Sequence, residues 1–304
     1  HQAHRAEDIC RILDIPYHQI DLQKEFESYV VDYFCREYRQ GRTPNPCVAC
    51  NEHMKFGILL DKALSLGADY LATGHYARVQ HSRDGHRLLK AEDTRRDQSY
   101  FLYTLTQEKL GHVLFPLGEY SREEVKQMAK QAGLATVTKS SQDICFISQR
   151  NYGTFLSQRL ATLPGDVTDT QGKKLGQHPG IAFYTIGQRH GLGLASGKPL
   201  YVIRIEPQRN RIVLGHENEL YSEGLTVREL NWISGTAPRG PLTVRAKIRY
   251  KSKEAEATLF FRNASVAVHF AQPQKAITPG QAIVFYNVDE ALGGGIIDST
   301  EIGA

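Results

Sequence analysis

The chain has 304 residues, 41% hydrophobic and 23% charged, with 37 Lys+Arg against 33 Asp+Glu for a formal net charge of +4. That length suits about two domains of roughly 150 residues each, and the ordinary composition excludes disordered and fibrous classes. Five cysteines, an odd and small number, exclude a secreted disulfide framework and point to a reducing compartment. No apolar run of about 18 residues occurs, so no membrane span is expected, and no signal-peptide pattern follows His1.

Residues 3–13 read as a helix with Ala6, Ile9, Cys10 and Leu13 on one face. Tyr17 to Ile20 reads as a short strand, and a longer helix is expected over about 23–40, ended by Gly41. Arg42-Thr43-Pro44-Asn45-Pro46 breaks the helix, because each proline removes a donor and restricts its predecessor. A helix is expected to resume near Asn51, with Phe56, Leu59, Leu60, Ala63 and Leu64 at helical spacing and Gly67 closing it. Ala68 to Thr73 then reads as a buried strand running into Gly74-His75. This alternation implies an α/β domain with a mainly parallel sheet, and its opening on a helix leads us to expect that a preceding strand and loop are missing. A capping box, Ser121 with Glu124, starts a helix over 121–133 with Val125, Met128, Ala129 and Ala132 inside. Past about 160 turn residues dominate. Beyond 200, short alternating runs at 201–206, 211–215, 225–230, 243–250, 255–261, 264–270 and 282–286 predict a β-barrel or sandwich. The expected division is 1–158, 159–200 and 201–304.

Cys47 and Cys50 form a C-x-x-C in Pro44-Asn45-Pro46-Cys47-Val48-Ala49-Cys50-Asn51. With Asn51 as N-cap, Cys50 would lie where helix N–H groups stabilise a thiolate, aided by Arg42. On the motif alone, a metal clip is equally open. His53 extends it to C-x2-C-x2-H, but no second ligand pair at zinc spacing follows. Cys145 lies in Lys139-Ser140-Ser141-Gln142-Asp143-Ile144-Cys145-Phe146-Ile147, whose apolar flanks read first as a buried thiol. Cys10 and Cys35 read as core.

Residues 238–253 carry Arg239, Arg245, Lys247, Arg249, Lys251 and Lys253 and no acid, a local +6 against +4 for the whole chain. Alternation with Ala246, Ile248 and Tyr250 would make one strand face cationic. Such a face suits a phosphate backbone or a lysine-protected edge strand. A second basic cluster, Arg78, Arg83, Arg87, Lys90, Arg95 and Arg96, surrounds an expected hairpin. Gly193 to Lys198 falls one residue short of a Walker phosphate loop.

In order, Gly41-Arg42-Thr43-Pro44-Asn45-Pro46, Cys50-Asn51 with Lys55-Phe56, Ala72-Thr73-Gly74-His75-Tyr76-Ala77, Asp97-Gln98-Ser99-Tyr100-Phe101-Leu102 and Phe115-Pro116-Leu117-Gly118 make a specific series. The Cys145 segment, Tyr184-Thr185-Ile186-Gly187-Gln188-Arg189, Thr278-Pro279-Gly280-Gln281 and Gly293-Gly294-Gly295 continue it. Together they resemble the tRNA-specific 2-thiouridylases, members of the PP-loop ATP pyrophosphatase group, over nearly the whole chain. The resemblance implies a Rossmann-like catalytic domain, a small central domain and a C-terminal β-barrel. It implies replacement of the C2 oxygen of the wobble uridine at tRNA position 34 by sulfur. ATP, with Mg2+, would adenylate that oxygen, and a persulfide supplied by a sulfur-relay protein or cysteine desulfurase would then attack.

By the same resemblance, Cys145 receives the persulfide and Cys50 is the second catalytic cysteine, able to form a disulfide with Cys145 by thiolate exchange. Gly74 matches an ATP contact. Asn45, Pro46, Cys47, His75, Arg96, Asp97, Gln98, Arg249, Tyr250 and Gln281 match contacts to tRNA, whose anticodon stem-loop offers unstacked bases. A cytoplasmic setting without a membrane is implied. Two departures stand out: the family's Ser-Gly-Gly-x-Asp-Ser loop is not in the sequence, so activity is expected only of the full-length protein, and position 47 is Cys where many members carry Asp. An iron–sulfur-dependent thiolase using Cys47, Cys50 and Cys145, and a non-catalytic tRNA-binding piece, remain open on the sequence alone.

Overall fold

The computed structural model describes residues 2–134, 144–147, 152–194, 198–262 and 265–300. Residues 139–143, before Cys145, and 195–197, in the Walker-like stretch, fall outside these. A helix spans Gln2–Leu13. Residues 17–20 carry no strand ladder, because no described strand lies beside them to share hydrogen bonds.

The next helix runs over 23–39, with wider turns over Glu27–Asp32, and ends where Gly41 adopts φ +68. Its face of Val31, Phe34, Cys35 and Tyr38 packs on Ile147, Leu156 and Leu160. The following helix starts earlier than expected. Asn45, not Asn51, is the N-cap: its side chain accepts from Val48 N at 3.3 Å, and Pro46 occupies the first turn, where its missing N–H costs nothing. This helix runs over 46–65, widens to i→i+5 turns over Cys50–Leu59 and kinks at Gly57.

The parallel sheet is small. β1 (Leu71–Ala72) pairs in parallel with β4 (Val113–Leu114), and Thr73 N extends the ladder by donating to Leu114 O at 3.0 Å. β1 is half-exposed rather than buried, since among the described residues only β4 flanks it. The Ser121 capping box forms, with Glu124 N donating to Ser121 Oγ at 3.3 Å and Ser121 N to Glu124 Oε2 at 2.7 Å. The helix it starts, Arg122–Gln131, nevertheless buries no residue, so the inward face expected for Val125, Met128, Ala129 and Ala132 is not formed among the described residues.

β2 (Ala77–Ser82) and β3 (Gly85–Lys90) make the expected hairpin. The central sheet has the order β6-β5-β8-β7, from β5 (Gly165–Asp169), β6 (Lys174–His178), β7 (Tyr201–Glu206) and β8 (Arg211–Gly215). The expected boundary at 200 therefore cuts through this sheet. β5 pairs in parallel with β8, and that ladder ties 201–215 to the central unit rather than to the barrel.

The barrel comprises β9 (Tyr221–Trp232), β10 (Leu242–Lys247), β11 (Ala255–Arg262), β12 (Ser265–Lys275), β13 (Ala282–Asn287) and β14 (Glu290–Ser299). The order β13-β10-β11-β12-β9-β14 closes through the β13–β14 pairing, so no edge is left within the ring. Leu225, Val227, Val244, Leu259, Val268, Ile283, Phe285 and Ile297 fill its interior. β13 is buried on both faces: Ile283 and Phe285 point inward, while Ala282, Val284 and Tyr286 join a second core with Phe56, Leu60, Tyr100, Leu102, Tyr103 and Leu110. β3 also pairs with β14. The barrel and the first unit thus share a core, and this positions the site.

Candidate functional site

The expected thiol loop is laid against the barrel. Thr43 N donates to Pro279 O at 2.9 Å, and Gln281 Nε2 donates to Thr43 O at 2.9 Å and Pro44 O at 3.2 Å. Gly280 has φ +92, and a Cβ there would stand 2.8 Å from Thr43 N, so only glycine lets the two backbones approach. Arg42 does not serve the thiols. Its Nε donates to Glu37 Oε2 at 3.1 Å and its other nitrogens to Asp298 Oδ1 and Ile297 O, fixing the loop to β14.

Cys47, Cys50 and Cys145 lie near enough to one another for their charges to interact. Cys145 is exposed, not the buried thiol its flanks imply. Ile144, Phe146 and Ile147 all anchor in the cluster around Phe34, and Ile147 N closes a turn on Ile144 O at 3.0 Å, which leaves Cys145 outermost. Cys145 acts electrostatically on both Cys47 and Cys50. Cys47 is exposed to solvent, but the protein surrounding it desolvates the thiol and, with Cys145 and Cys50 adding, pushes it up to about 11. Cys50 is half-buried and lies within the helix, not at its N-cap. Burial raises its pKa, and the Lys55 ammonium is the largest opposing influence.

Lys55 was a motif residue without a role in the sequence, and its place emerges only in three dimensions. Its Nζ lies 3.4 Å from His75 Nε2. His75 is 7% exposed, between Phe56 and Phe115, each with ring centroids 5.7 Å from its own. Burial, with Lys55 adding, lowers His75 to about 3, so the ring is neutral. A lysine donates only, so Nε2 accepts and Nδ1–H donates to Thr73 Oγ1 at 2.7 Å.

Gly74 and His75 follow β1, and Phe115 to Gly118 follow β4, at the carboxyl ends of parallel strands where α/β sheets bind ligands. Gly74 is exposed, and a Cβ there would meet only Leu117 Cδ1 at 3.6 Å. These residues fit one wall of a nucleotide site.

Apart from the exposed Cys47 and from His75, which is buried rather than at the surface, the expected tRNA contacts divide into two groups. Asn45, Pro46, Asp97, Gln98 and Gln281 organise backbone: Asp97 is 5% exposed, with Oδ1 accepting from Ala91 N and Ser99 N at 3.1 Å and Oδ2 from Ser99 Oγ at 2.8 Å. Gln98 Oε1 accepts from Tyr76 N at 3.0 Å. Arg96 and Arg249, by contrast, reach the surface around Tyr250, whose ring lies 4.4 Å from that of Phe101. The uniformly cationic strand does not form. β10 ends at Lys247 because the chain turns there, with Ser252 N donating to Arg249 O at 3.0 Å. Arg245 pairs with Glu254 at 3.6 Å, while Asp97 and Glu254 attract Lys247. Arg78, Arg87, Lys90 and Arg95 of the second cluster likewise pair with Glu92, Glu290, Glu254 and Asp93. No described helix is long and apolar enough to cross a membrane.

Residues 1–149 match the family model described as tRNA methyl transferase HUP domain, 153–216 the tRNA methyl transferase PRC-barrel domain, and 222–297 the aminomethyltransferase beta-barrel domain. The chain is 47% identical over 298 residues to the tRNA-specific 2-thiouridylase MnmA of Acetivibrio thermocellus, across 96% of this chain and 83% of that protein. It is 48% identical over 299 residues to the MnmA of Carboxydothermus hydrogenoformans, across 96% and 82%. The MnmA of Moorella thermoacetica is 46% identical over 300 residues, across 97% and 84%. The match spans all three structural units, and the chain belongs to the tRNA-specific 2-thiouridylase family.

Proposed function

We propose that the chain is the sulfur-handling and tRNA-binding body of a tRNA-uridine 2-sulfurtransferase acting on the wobble uridine. The observation that carries this reading is the convergence of Cys145, Cys50 and Cys47 beside one lysine, on a loop ordered by the barrel. Exposed on its turn, Cys145 suits loading from a sulfur-relay protein or cysteine desulfurase. Its persulfide delivers the outer sulfur to C2 of the uridine. The Cys50 thiolate then attacks Cys145 Sγ, releasing the thiolated base and leaving a Cys50–Cys145 disulfide, which a cellular dithiol reduces by two electrons. In the family's reaction ATP, with Mg2+, makes the C2 oxygen a leaving group. Arg96 and Arg249 meet phosphates of the anticodon stem-loop, and Tyr250 offers a face for an unstacked base. Asn45, Pro46, Asp97, Gln98 and Gln281 support the target base by holding the loops that meet it. The five free cysteines support a cytoplasmic setting for this work.

Mass spectrometry of tRNA nucleosides tests the reading. A strain lacking the gene loses wobble 2-thiouridine, the complete wild-type gene restores it, and a Cys145→Ser or Cys50→Ser gene does not. Unchanged 2-thiouridine in the deletion strain would contradict it.

A further inference from the structure

The turn Ser99–Leu102 is a 3-10 helix, whose side chains point three ways at about three residues per turn. Ser99 and Leu102 share one direction, Tyr100 takes a second, and all three are buried. Phe101 takes the third and is left half-buried. Its ring meets that of Tyr250, also half-buried, with 4.4 Å between centroids and 42° between planes. Two adjoining rings left partly in water make an apolar surface suited to another flat ring.

Both rings are held from behind. Asp97 pins the turn by accepting from Ser99 N and Oγ, and Phe101 N donates to Gln98 O at 3.0 Å. The Tyr100 ring packs edge-on against Phe101 at 5.3 Å while its hydroxyl donates to Ala282 O at 2.8 Å. Tyr250 sits in the turn after β10, with Lys247 Nζ 5.6 Å from its ring centre. The Phe101 carbonyl makes the link to the thiols. Asn51 Nδ2 donates to Phe101 O at 3.0 Å, and Asn51 is 2% exposed and follows Cys50 directly on its helix. One side chain and one hydrogen bond therefore join the ring pair to the backbone beside Cys50.

The charges around the rings point to the occupant. Arg249, Lys251 and Lys253, on the same turn as Tyr250, and Arg96, just upstream of Ser99, have no ion-pair partner among the described residues. Their neighbours Arg95 and Arg245 are paired, with Asp93 and Glu254. Free cations rimming an aromatic pair match a single strand, with charged phosphates and flat bases. A base that undergoes chemistry leaves its stack, and the base beside it then needs a new stacking partner. We propose that Phe101 and Tyr250 form a stacking platform for the anticodon-loop base next to the target uridine, and that Asn51 is the positioning residue that spaces this platform from Cys50. This rests on the reading of the chain as a tRNA 2-sulfurtransferase. Tyr250 is among the expected tRNA contacts; Phe101 and Asn51 are not.

The test is photocross-linking of the intact chain to an anticodon stem-loop RNA carrying 5-iodouridine at one loop position at a time, a probe that joins to aromatic rings stacked on it. Peptide mass spectrometry should place the cross-link at Phe101 or Tyr250 for a position beside the wobble nucleotide. Phe101→Leu should weaken RNA binding about tenfold, with the salt dependence of wild type because the phosphate contacts remain. Phe101→Trp, which keeps a stacking face, should restore the affinity. Asn51→Ala, which lacks the donor, should lower kcat for thiolation by the complete protein about tenfold with little change in KM; Asn51→Ser serves if it does not fold. Circular dichroism and the melting temperature identify the folded variants. No cross-link to either ring at any loop position, or wild-type affinity in folded Phe101→Leu, overturns the platform, and an unchanged kcat in a folded Asn51 variant overturns the spacing. Cross-linking requires neither ATP nor sulfur, so the two readings fail separately. A cross-link at the rings with unchanged wobble 2-thiouridine in the deletion strain removes the function and keeps the platform. No cross-link with loss of 2-thiouridine does the reverse.

Discussion

The barrel and the thiol site obey opposite rules. The barrel closes its own hydrogen bonds, and its interior of Phe285, Ile283, Val268 and Leu259 is fully buried. The thiol site has no comparable core. Cys47 and Cys145 are exposed, and their segments are held from outside: one by Pro279, Gly280 and Gln281, the other by the aromatic cluster around Phe34. Stability resides in the closed ring, and reactivity in segments that lean on it. Such a division lets a loop stay open to a large substrate while keeping its geometry.

Three changes probe that division, beginning with the largest. Phe285→Ala, emptying a fully buried site in the ring, should cost about 3–5 kcal/mol of global stability by urea unfolding. A cost under about 1 kcal/mol would mean that the ring is not the stabilising unit. For His75, burial holds the folded pKa near 3, below its ordinary 6.5. The unfolded chain therefore binds the proton first, and the stability this residue contributes is present above pH 6.5 and is lost as pH falls toward 3. His75→Gln should flatten the fall in unfolding free energy between pH 7 and 4.5 by on the order of 2 kcal/mol. Equal slopes in the two proteins would show the ring to be solvated. Gly280→Ala, which puts a Cβ 2.8 Å from Thr43 N at φ +92, should cost about 1–2 kcal/mol. Its main effect should be faster hydrogen exchange at Thr43, with barrel amides unchanged. Uniform loosening would mean that loop and barrel are one cooperative unit.

Elements set by local chemistry were legible in the sequence: Gly41 and Gly67 at helix ends, the Ser121 cap, the hairpin and most barrel strands. Those set by distant partners were not. β14, absent from the expected runs, carries Gly293-Gly294-Gly295; it is a strand because it pairs with β13 and β9, and Ile283 O stands 2.3 Å from where a Gly294 Cβ would lie, a closeness the closed ring demands. The helix start at Asn45 was hidden by two prolines that mark a break, although the second suits a first turn. At the site, Cys47 and Cys50 were visible as a motif. The exposure of Cys145 was not, because an apolar run does not say which residue its turn leaves outside. Lys55 was hidden because the residue it meets, His75, lies 20 positions away in the sequence and is brought to it only by the packing of the helix on the sheet end.

The central claim is that these thiols carry sulfur, with Cys145 receiving it. The direct measurement is peptide mass spectrometry of the protein after incubation with a cysteine desulfurase and cysteine. The account predicts a Cys145 peptide heavier by one sulfur atom, and no such gain at Cys47. Sulfur gained only at Cys47, or at none of the three thiols, would contradict it.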